Sequence, residues 1–233
     1  TTELKATHGS LKKIESLSPT GKNGDRKAAP QTLPQTFPGQ LLPSSSFNWQ
    51  DPWIAIGQIQ NSFVLIETRN TVLVIDQHGA HERIIFEELR QNLSKNNKGQ
   101  QLLIRESLSL TKAEALLLEH HLKDFEKLGF LLEPFGENSF IVRTVPAILV
   151  GKDYKQVLRD ILDKLAETGK LRSLGESIER MMMVIACHAA VKAHDPLKHR
   201  EIETLIRQLR ELGPSHTCPH GRPIIQSLPI EDI

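Results

Sequence analysis

The sequence predicts an α/β (α+β) domain of two lobes, a larger one of sheet plus helices and a smaller α+β lobe inserted into it. Three observations carry that expectation. Short apolar runs at 54–59, 63–66 and 72–75, separated by turn residues, read as a meander of strands. Helical spacing takes over directly afterwards, at Ile84, Ile85, Leu89 and Leu93, and returns after Ser173. Between the two, residues 111–167 read as helix, hairpin and helix with their own punctuation.

The elements follow in order. Residues 1–46 are rich in Pro, Ser, Gly, Gln and Lys, with Phe37 the only aromatic and no apolar period. Such a segment cannot bury enough surface to offset the entropy of ordering it, so it reads as a flexible linker, and a linker implies a domain before it. From Phe47 the meander begins, with Asn61-Ser62 and Arg69-Asn70 as its turns, and its third strand delivers Asp76. A helix is expected from about Gly79 to Leu93, before the polar stretch 94–99. Thr111 and Glu114 form a capping box ahead of Leu118, Leu122 and Phe125, and Gly129 ends that helix. Residues 130–135 and 140–145 flank Gly136-Glu137-Asn138 as a hairpin, and a helix from about Asp153 to Glu167 closes the insert. Ser173 and Glu176 form another capping box, opening a long helix through Met181, Met182, Ile185 and Ala189 toward Ala193, beyond which Pro196 forbids it. The methionines read as core filler or a packing face. A last helix over 198–212 ends at Gly213, and Cys218-Pro219-His220-Gly221-Arg222-Pro223 turns into Ile224-Ile225. The expected boundaries are a linker over 1–46, the larger lobe over 47–98 and 173–233, and the insert over 99–172.

Composition narrows the function classes. The chain has 233 residues, 39% of them hydrophobic, and no apolar run approaches the ~20 residues of a membrane helix. It begins at Thr1 with no signal-peptide pattern, and reads as a fragment of something longer. Two cysteines make no disulfide framework, so free thiols in a cytoplasmic setting are expected. The net charge of +1 divides unevenly: 1–46 carry six Lys/Arg against three Asp/Glu, and 47–233 carry 23 against 25. Nonspecific nucleic-acid affinity comes mainly from neutralised phosphates, so the folded part is expected to bind DNA or RNA weakly on its own.

The chemistry-bearing stretch is Asp76-Gln77-His78-Gly79-Ala80-His81-Glu82, with Glu87 after it. At a strand-to-helix junction His78 and Glu82 lie one turn apart on one face, with Asp76 just before them. Downstream are Cys187 in a helical pattern, and Cys218 and His220 on a turn stiffened by Pro219 and Pro223. Thiolate, imidazole and carboxylate together suit zinc first, with manganese at the oxygen-rich end. The inventory exceeds four ligands, which leaves two ions open, or one ion plus a catalytic carboxylate. Two ions ~3.5–4 Å apart can stabilise both oxygens of a phosphodiester displacement. Each piece alone has a plainer account: Cys187 as packing, Gly221-Arg222-Pro223 as a mere turn, and the other histidines as solvated or hydrogen-bonded groups, with His81 and His188 left open beside the site.

The combination resembles the C-terminal dimerisation and endonuclease domain of the MutL family of DNA mismatch-repair proteins. The family pattern D-Q-H-A-x-x-E-x-x-x-x-E is matched by Asp76, Gln77, His78, Glu82 and Glu87, with Gly79 in place of the alanine. Ala186-Cys187-His188 resembles A-C-(R/K), with His188 for the basic residue; C-P-H-G-R-P is matched in full; and Phe140-Ile141-Val142-Arg143 resembles the segment preceding a family proline. The resemblance covers 47–230 and implies that Asp76, together with Glu82, is catalytic. It further implies that His78, Glu82, Cys187, Cys218 and His220 hold a regulatory Zn2+ overlapping the nuclease centre, and that Mn2+ supports nicking of one strand of duplex DNA. It makes the larger lobe the dimerisation and endonuclease lobe of a homodimer, and the insert a regulatory lobe. It places an ATPase domain across the linker, which agrees with the absence of an ATP site in this fragment. A MutS-type mismatch-recognition protein is the implied partner, and a nucleoid-associated location the implied setting. Glycine at 79 is expected to be sterically harmless and to loosen the helix start by ~1 kcal/mol; His188 removes a fixed charge. Arg222 is a candidate phosphate contact, or a brace for the turn.

Gln101-Leu102-Leu103-Ile104-Arg105-Glu106 resembles the family's sliding-clamp motif, Q-x-x-(L/I)-x-P, with Glu106 where proline is expected. Gln101, Leu103 and Ile104 are then the candidate contacts, and an ordinary edge strand is the alternative. Two other function classes remain open: a non-catalytic dimerisation or interaction module with a structural zinc, and a thiol redox sensor using Cys187 and Cys218.

Overall fold

A computed structural model describes residues 48–94, 99–167, 174–213 and 217–233; the expected linker and Ser173 lie outside the described residues. Strands β1 (Ile54–Ile59), β2 (Phe63–Glu67) and β3 (Thr71–Asp76) form the expected meander. The first turn is Gln60-Asn61 rather than Asn61-Ser62: both residues have positive φ, 50° and 49°, and Ser62 N–H donates to the Ile59 carbonyl at 3.0 Å. Positive φ at both central residues is the turn geometry whose twist matches the strands it joins, and with Ile59 paired to Phe63 residues 60–62 make up the loop. Burial alternates along β3 with Thr71, Leu73 and Ile75 inward, as a sheet with one face on the core requires.

A fourth strand, β7 (Ile225–Pro229), pairs antiparallel with β3, giving the order β1-β2-β3-β7. The pairing matters for the site. Asp76 N–H donates to the Ile224 carbonyl at 2.9 Å, so the turn that precedes β7 is delivered beside the helix that follows β3. That helix, α1 (Gln77–Ser94), starts two residues before Gly79 because the Asp76 carboxylate caps it: Oδ1 accepts from His78 N–H at 3.0 Å and Gly79 N–H at 3.2 Å.

A second antiparallel sheet, ordered β4-β6-β5, is formed by β4 (Gln100–Ser109), β5 (Leu131–Pro134) and β6 (Ser139–Val145). Two helices pack with it. In α2 (Lys112–Lys127) the capping box is formed: Thr111 N–H donates to Glu114 Oε2 at 2.6 Å and Glu114 N–H to Thr111 Oγ1 at 3.3 Å. In α3 (Tyr154–Ala166), Asp153 caps through Gln156 N–H at 3.1 Å.

The long helix α4 (Leu174–Ala189) ends four residues short of the expected Ala193. Val191 explains the early end, because its N–H and carbonyl are both taken by histidines of α1 rather than by α4. Lys152 Nζ donates to the Ala189 carbonyl at 3.1 Å, satisfying a group that helix termination orphans. The final helix, α5 (His199–Glu211), turns Ile202, Leu205, Ile206 and Leu209 inward.

Buried apolar residues form two clusters. One joins Val64, Ile66, Leu73 and Ile75 of the first sheet to α5, and to Ala80 and Ile84 of α1. The other joins the second sheet to α2 and α3, to Ile85, Phe86 and Leu89 of α1, and to Met181, Met182, Ile185 and Ala186 of α4. Helix α1 therefore belongs to both cores, and its first turn lies where strand β3, helix α4 and the turn before β7 meet. Truncating one of these aliphatic side chains would remove about 2–5 kcal/mol, so the scaffold beneath the site is stiff.

Candidate metal centre

Glu82 is the hub of the centre. It lies one helical turn after His78, is 4% exposed, and is reached from three directions. His78 Nε2 lies 3.2 Å from Glu82 Oε1, His220 Nδ1 lies 3.5 Å from Glu82 Oε2, and the Cys187 thiol hydrogen-bonds the same carboxylate. Two donor triads result, His78–Glu82–Cys187 and Glu82–Cys218–His220, each with its ligand atoms within 4.8 Å of one another. Four side chains from three distant parts of the chain, His78, Cys187, and Cys218 with His220, thus converge on the Glu82 carboxylate.

The electrostatics follow from that sharing. Hydrogen bonding to Glu82 raises His78 from 6.5 to about 9 against the opposing effect of burial, with the Val191 carbonyl and the charges of Glu82 and Asp76 adding to the rise. Burial is the largest single influence on Glu82 and pushes it up, but the bond and charge of His78, with His220 and Cys187, outweigh it and hold the carboxyl below its usual value. Burial, followed by the Glu82 charge, pushes the Cys187 thiol up to about 11. A proton on His78 and another on Cys187 therefore stand where a cation would satisfy Glu82 equally well.

The donor set fits a divalent metal. The His78 Nδ1 atom lies 2.8 Å from the Val191 carbonyl, which can only accept, so Nδ1 carries a hydrogen, and Nε2, which faces Glu82, is the atom whose proton an ion would displace. Metal-bound imidazoles are usually oriented through the other ring nitrogen in this way. His81 has the opposite tautomer, because its Nδ1 accepts Val191 N–H at 3.0 Å. Burial, and then Lys152 and His78, lower its pKa, which favours the neutral ring. A nitrogen already accepting that bond is not free for an ion, so His81 clamps the loop.

Other candidates sit differently. Asp76 belongs to neither triad; Oδ1 caps α1 and Oδ2 has no hydrogen bond among the described residues. Glu87 is engaged by Arg83 at 2.9 Å and Arg90 at 3.8 Å. His188 Nε2 meets Asp160 Oδ2 at 2.7 Å, tying α4 to α3. Arg222 is exposed and has no ion pair among the described residues, while its carbonyl accepts Cys218 N–H at 2.9 Å. The glycine at 79 is a correction to the sequence reading: alanine would not be harmless here, because a Cβ would lie 2.6 Å from Ile224 Cγ2 and 3.2 Å from Asp76 Oδ2, and Ile224 would have to shift.

The centre opens on a groove of about 580 Å3 between α3 and α4, whose lining includes Lys164, Arg180, Met183, Val184, Cys187 and His220. Gln101, Leu103 and Ile104 lie on edge strand β4, with Leu103 fully exposed and Ile104 77% exposed. Pairing to β6 jumps from Gln101↔Thr144 to Glu106↔Val142, so 102–105 bulge against the single residue Arg143. Glu106 is tied down by Lys155 Nζ at 2.6 Å.

Sequence reasoning missed Gln77 and the loop of Val191. Gln77 is fully buried and bonds to carbonyls of two separate loops. Its sequence signal was its match to the second position of the D-Q-H pattern, which gave it no role of its own.

A family model described as MutL C terminal dimerisation domain matches residues 56–197. A DNA mismatch repair protein MutL of Geotalea uraniireducens is 38% identical over 179 residues, covering 76% of this chain and 30% of that protein. Those of Geobacter sulfurreducens and Koribacter versatilis are 34% and 32% identical, over 88% and 90% of this chain and 36% and 33% of theirs. The chain spans about a third of the length of these relatives. With the match and the identities both extending over most of the folded part, this chain belongs to the MutL C-terminal dimerisation domain family.

Proposed function

We propose that the domain is a metal-dependent endonuclease that nicks one strand of duplex DNA during mismatch repair, acting as a homodimer. The observation that carries this reading is the Glu82 carboxylate shared by two donor triads beside Asp76. Zn2+ would be held by His78, Glu82, Cys187, Cys218 and His220, with Mn2+ taking the oxygen-rich part for catalysis. A divalent ion there supplies Lewis-acid stabilisation of the oxygens of the scissile phosphodiester. Asp76, rigid at the start of α1 with Oδ2 unengaged, positions a water for attack. The adjoining groove is lined by Lys164 and Arg180 but also by Asp160, Glu176 and Glu179, and Lys164 is paired with Glu167 at 2.7 Å, so the groove adds no net positive charge for the strand's phosphates.

Self-association is supported by the outer face of the first sheet. Glu67, Val72 and Leu228 form one cross-strand row beside exposed Ile54, and Leu65 and Val74 form the next. An apolar face of this kind is what a subunit interface covers. Duplex DNA affinity would be weak alone, as the balance of 23 basic and 25 acidic residues over 47–233 implies. Docking of the replication sliding clamp on the β4 bulge through Gln101, Leu103 and Ile104 would compensate. A MutS-type protein and an N-terminal ATPase domain complete the proposed setting, in the cytoplasm and on the nucleoid; among the described residues no helix is long and apolar enough to cross a membrane.

The test is nicking of supercoiled plasmid at low salt with Mn2+, by this chain and by the protein extended to the length of its relatives, each with clamp and each against Asp76→Asn. Asparagine caps a helix about as well as aspartate, so the variant stays within about 1 kcal/mol of wild type in stability. Nicking lost in Asp76→Asn supports the reading. Equal nicking by Asp76→Asn, or none by either wild-type form, would leave the alternative of a non-catalytic dimerisation module with structural zinc.

A further inference from the structure

Gln77 joins three segments through one buried carboxamide. Its Nε2 lies 2.8 Å from the Asn61 carbonyl, 3.1 Å from that of Asp195 and 3.2 Å from that of Lys192. Its Oε1 accepts from Gln58 Nε2, and Gln58 Oε1 in turn accepts Leu197 N–H at 2.8 Å. The β1–β2 turn, the start of α1 and the loop 190–198 are thereby held together.

Backbone strain marks the same place. Gln60, Asn61 and His194 all have left-handed φ, 50°, 49° and 74°. His194 Nδ1 sits 3.0 Å from Ser62 Oγ and 3.2 Å from the Gln60 carbonyl. Non-glycine residues remain in that region only where their surroundings hold them. At the near end of this loop is Val191, whose peptide groups are gripped by His78 and His81.

We propose that Gln77 is a positioning residue for His78: by anchoring loop 190–198 it keeps the Val191 carbonyl on Nδ1, so that Nε2 faces Glu82. The inference rests on the metal-centre reading given above, and goes beyond it by assigning the orientation of one ligand to a buried amide that no ion touches. Partners that orient a ligating histidine typically change metal affinity about 10–100-fold when removed. His81 serves the same loop from the other side.

Gln77→Met keeps the side-chain volume and removes the donors; Gln58→Ala is a milder variant for use if Gln77→Met does not fold. Two readouts apply: zinc affinity by competition with a chromogenic chelator, and the exchange-protected Nδ1–H resonance of His78 in zinc-free protein. Thr68→Val, which removes a buried hydroxyl bonded to the Thr71 carbonyl, serves as the control. The expected result is at least a tenfold loss of zinc affinity together with loss of the resonance in the folded variant, and neither in the control. Either readout unchanged in a folded variant overturns the proposal. Should the wild-type chain take up no zinc, the metal-centre reading fails, and the resonance alone decides whether Gln77 positions His78.

Discussion

Replacing Glu82 by glutamine keeps the side-chain shape and removes the charge that His78, His220 and Cys187 all face. In zinc-free protein the hydrogen bond to Glu82 is the main reason His78 rises from 6.5 to about 9. With a neutral amide in its place, burial acts against only the Val191 carbonyl and the Asp76 charge, and the His78 pKa falls from its raised value. The wild-type rise corresponds to about 3.4 kcal/mol at ~1.36 kcal/mol per pH unit. A third of the His78 side chain is exposed, and solvent screening reduces the share that reaches stability to about 1–2 kcal/mol. Because the folded value lies above the unfolded one, that contribution is complete below pH 6.5 and disappears as pH rises through about 9. Urea unfolding in chelator at about pH 6, 7.5 and 9.5, followed by circular dichroism, should show the decline in wild type and not in Glu82→Gln. A His78 ring resonance that still titrates above about pH 8 in the variant, or the same pH slope in both proteins, would refute the assignment of Glu82 as the controlling charge.

Three further outcomes are expected. Gly79→Ala should lower the melting temperature even though alanine is the better helix former by ~1 kcal/mol, because the added methyl overpacks Ile224 at a cost of about 1–3 kcal/mol; in an Ile224→Ala background the same change should stabilise, and simple additivity would contradict the contact. Zinc uptake near pH 7 should displace protons from both His78 and Cys187, which titrate at about 9 and about 11, so apparent affinity should climb at least ~100-fold per pH unit below about pH 8.5; a tenfold slope would remove one of the two as a ligand. Gln101→Ala with Ile104→Ala should leave unfolding free energy within about 0.5 kcal/mol, since both side chains are exposed, and should weaken sliding-clamp binding at least tenfold; unchanged binding would eliminate the β4 bulge as that surface.

Local rules made much of the fold legible. Thr111 and Glu114 announced α2, Gly136-Glu137-Asn138 announced the β5–β6 turn, and three apolar runs announced the meander, since each is decided by neighbours within a few residues. What could not be read was decided across the molecule. Helix α4 stops at Ala189 because two histidines of α1 claim the Val191 backbone. The glycine at 79 looked like a tolerated departure until Ile224, brought alongside by β7, filled the space of its missing methyl. At the site, ligand types and spacing offered Asp76, His78, Glu82, Cys187, Cys218 and His220, the family resemblance set Asp76 apart from the other five, and the fold gathers those five around the Glu82 carboxylate. Spacing carries no information about tautomers, so the division of labour between His78 and His81 emerged only with the Val191 peptide in place. Gln77 was hidden for a related reason: a buried amide is recognised by the carbonyls around it, and those come from two other segments.

The pairing of β7 with β3 also sets an order of events during synthesis. Glu82 and His78 leave the ribosome long before Cys218 and His220, which reach them only when the strand that follows has zipped onto β3. At a translation speed of about 5–20 residues per second, the roughly 140 intervening residues impose a delay of about 7–28 s. Throughout that interval the nascent chain presents an incomplete cluster to passing ions and nucleic acid. Closure of the final strand thus works as an assembly timer, withholding the finished arrangement until the core of the second sheet, which uses no residue beyond Ala190, has had time to form; the other core, which includes Cys218 and Ile224, is completed with it.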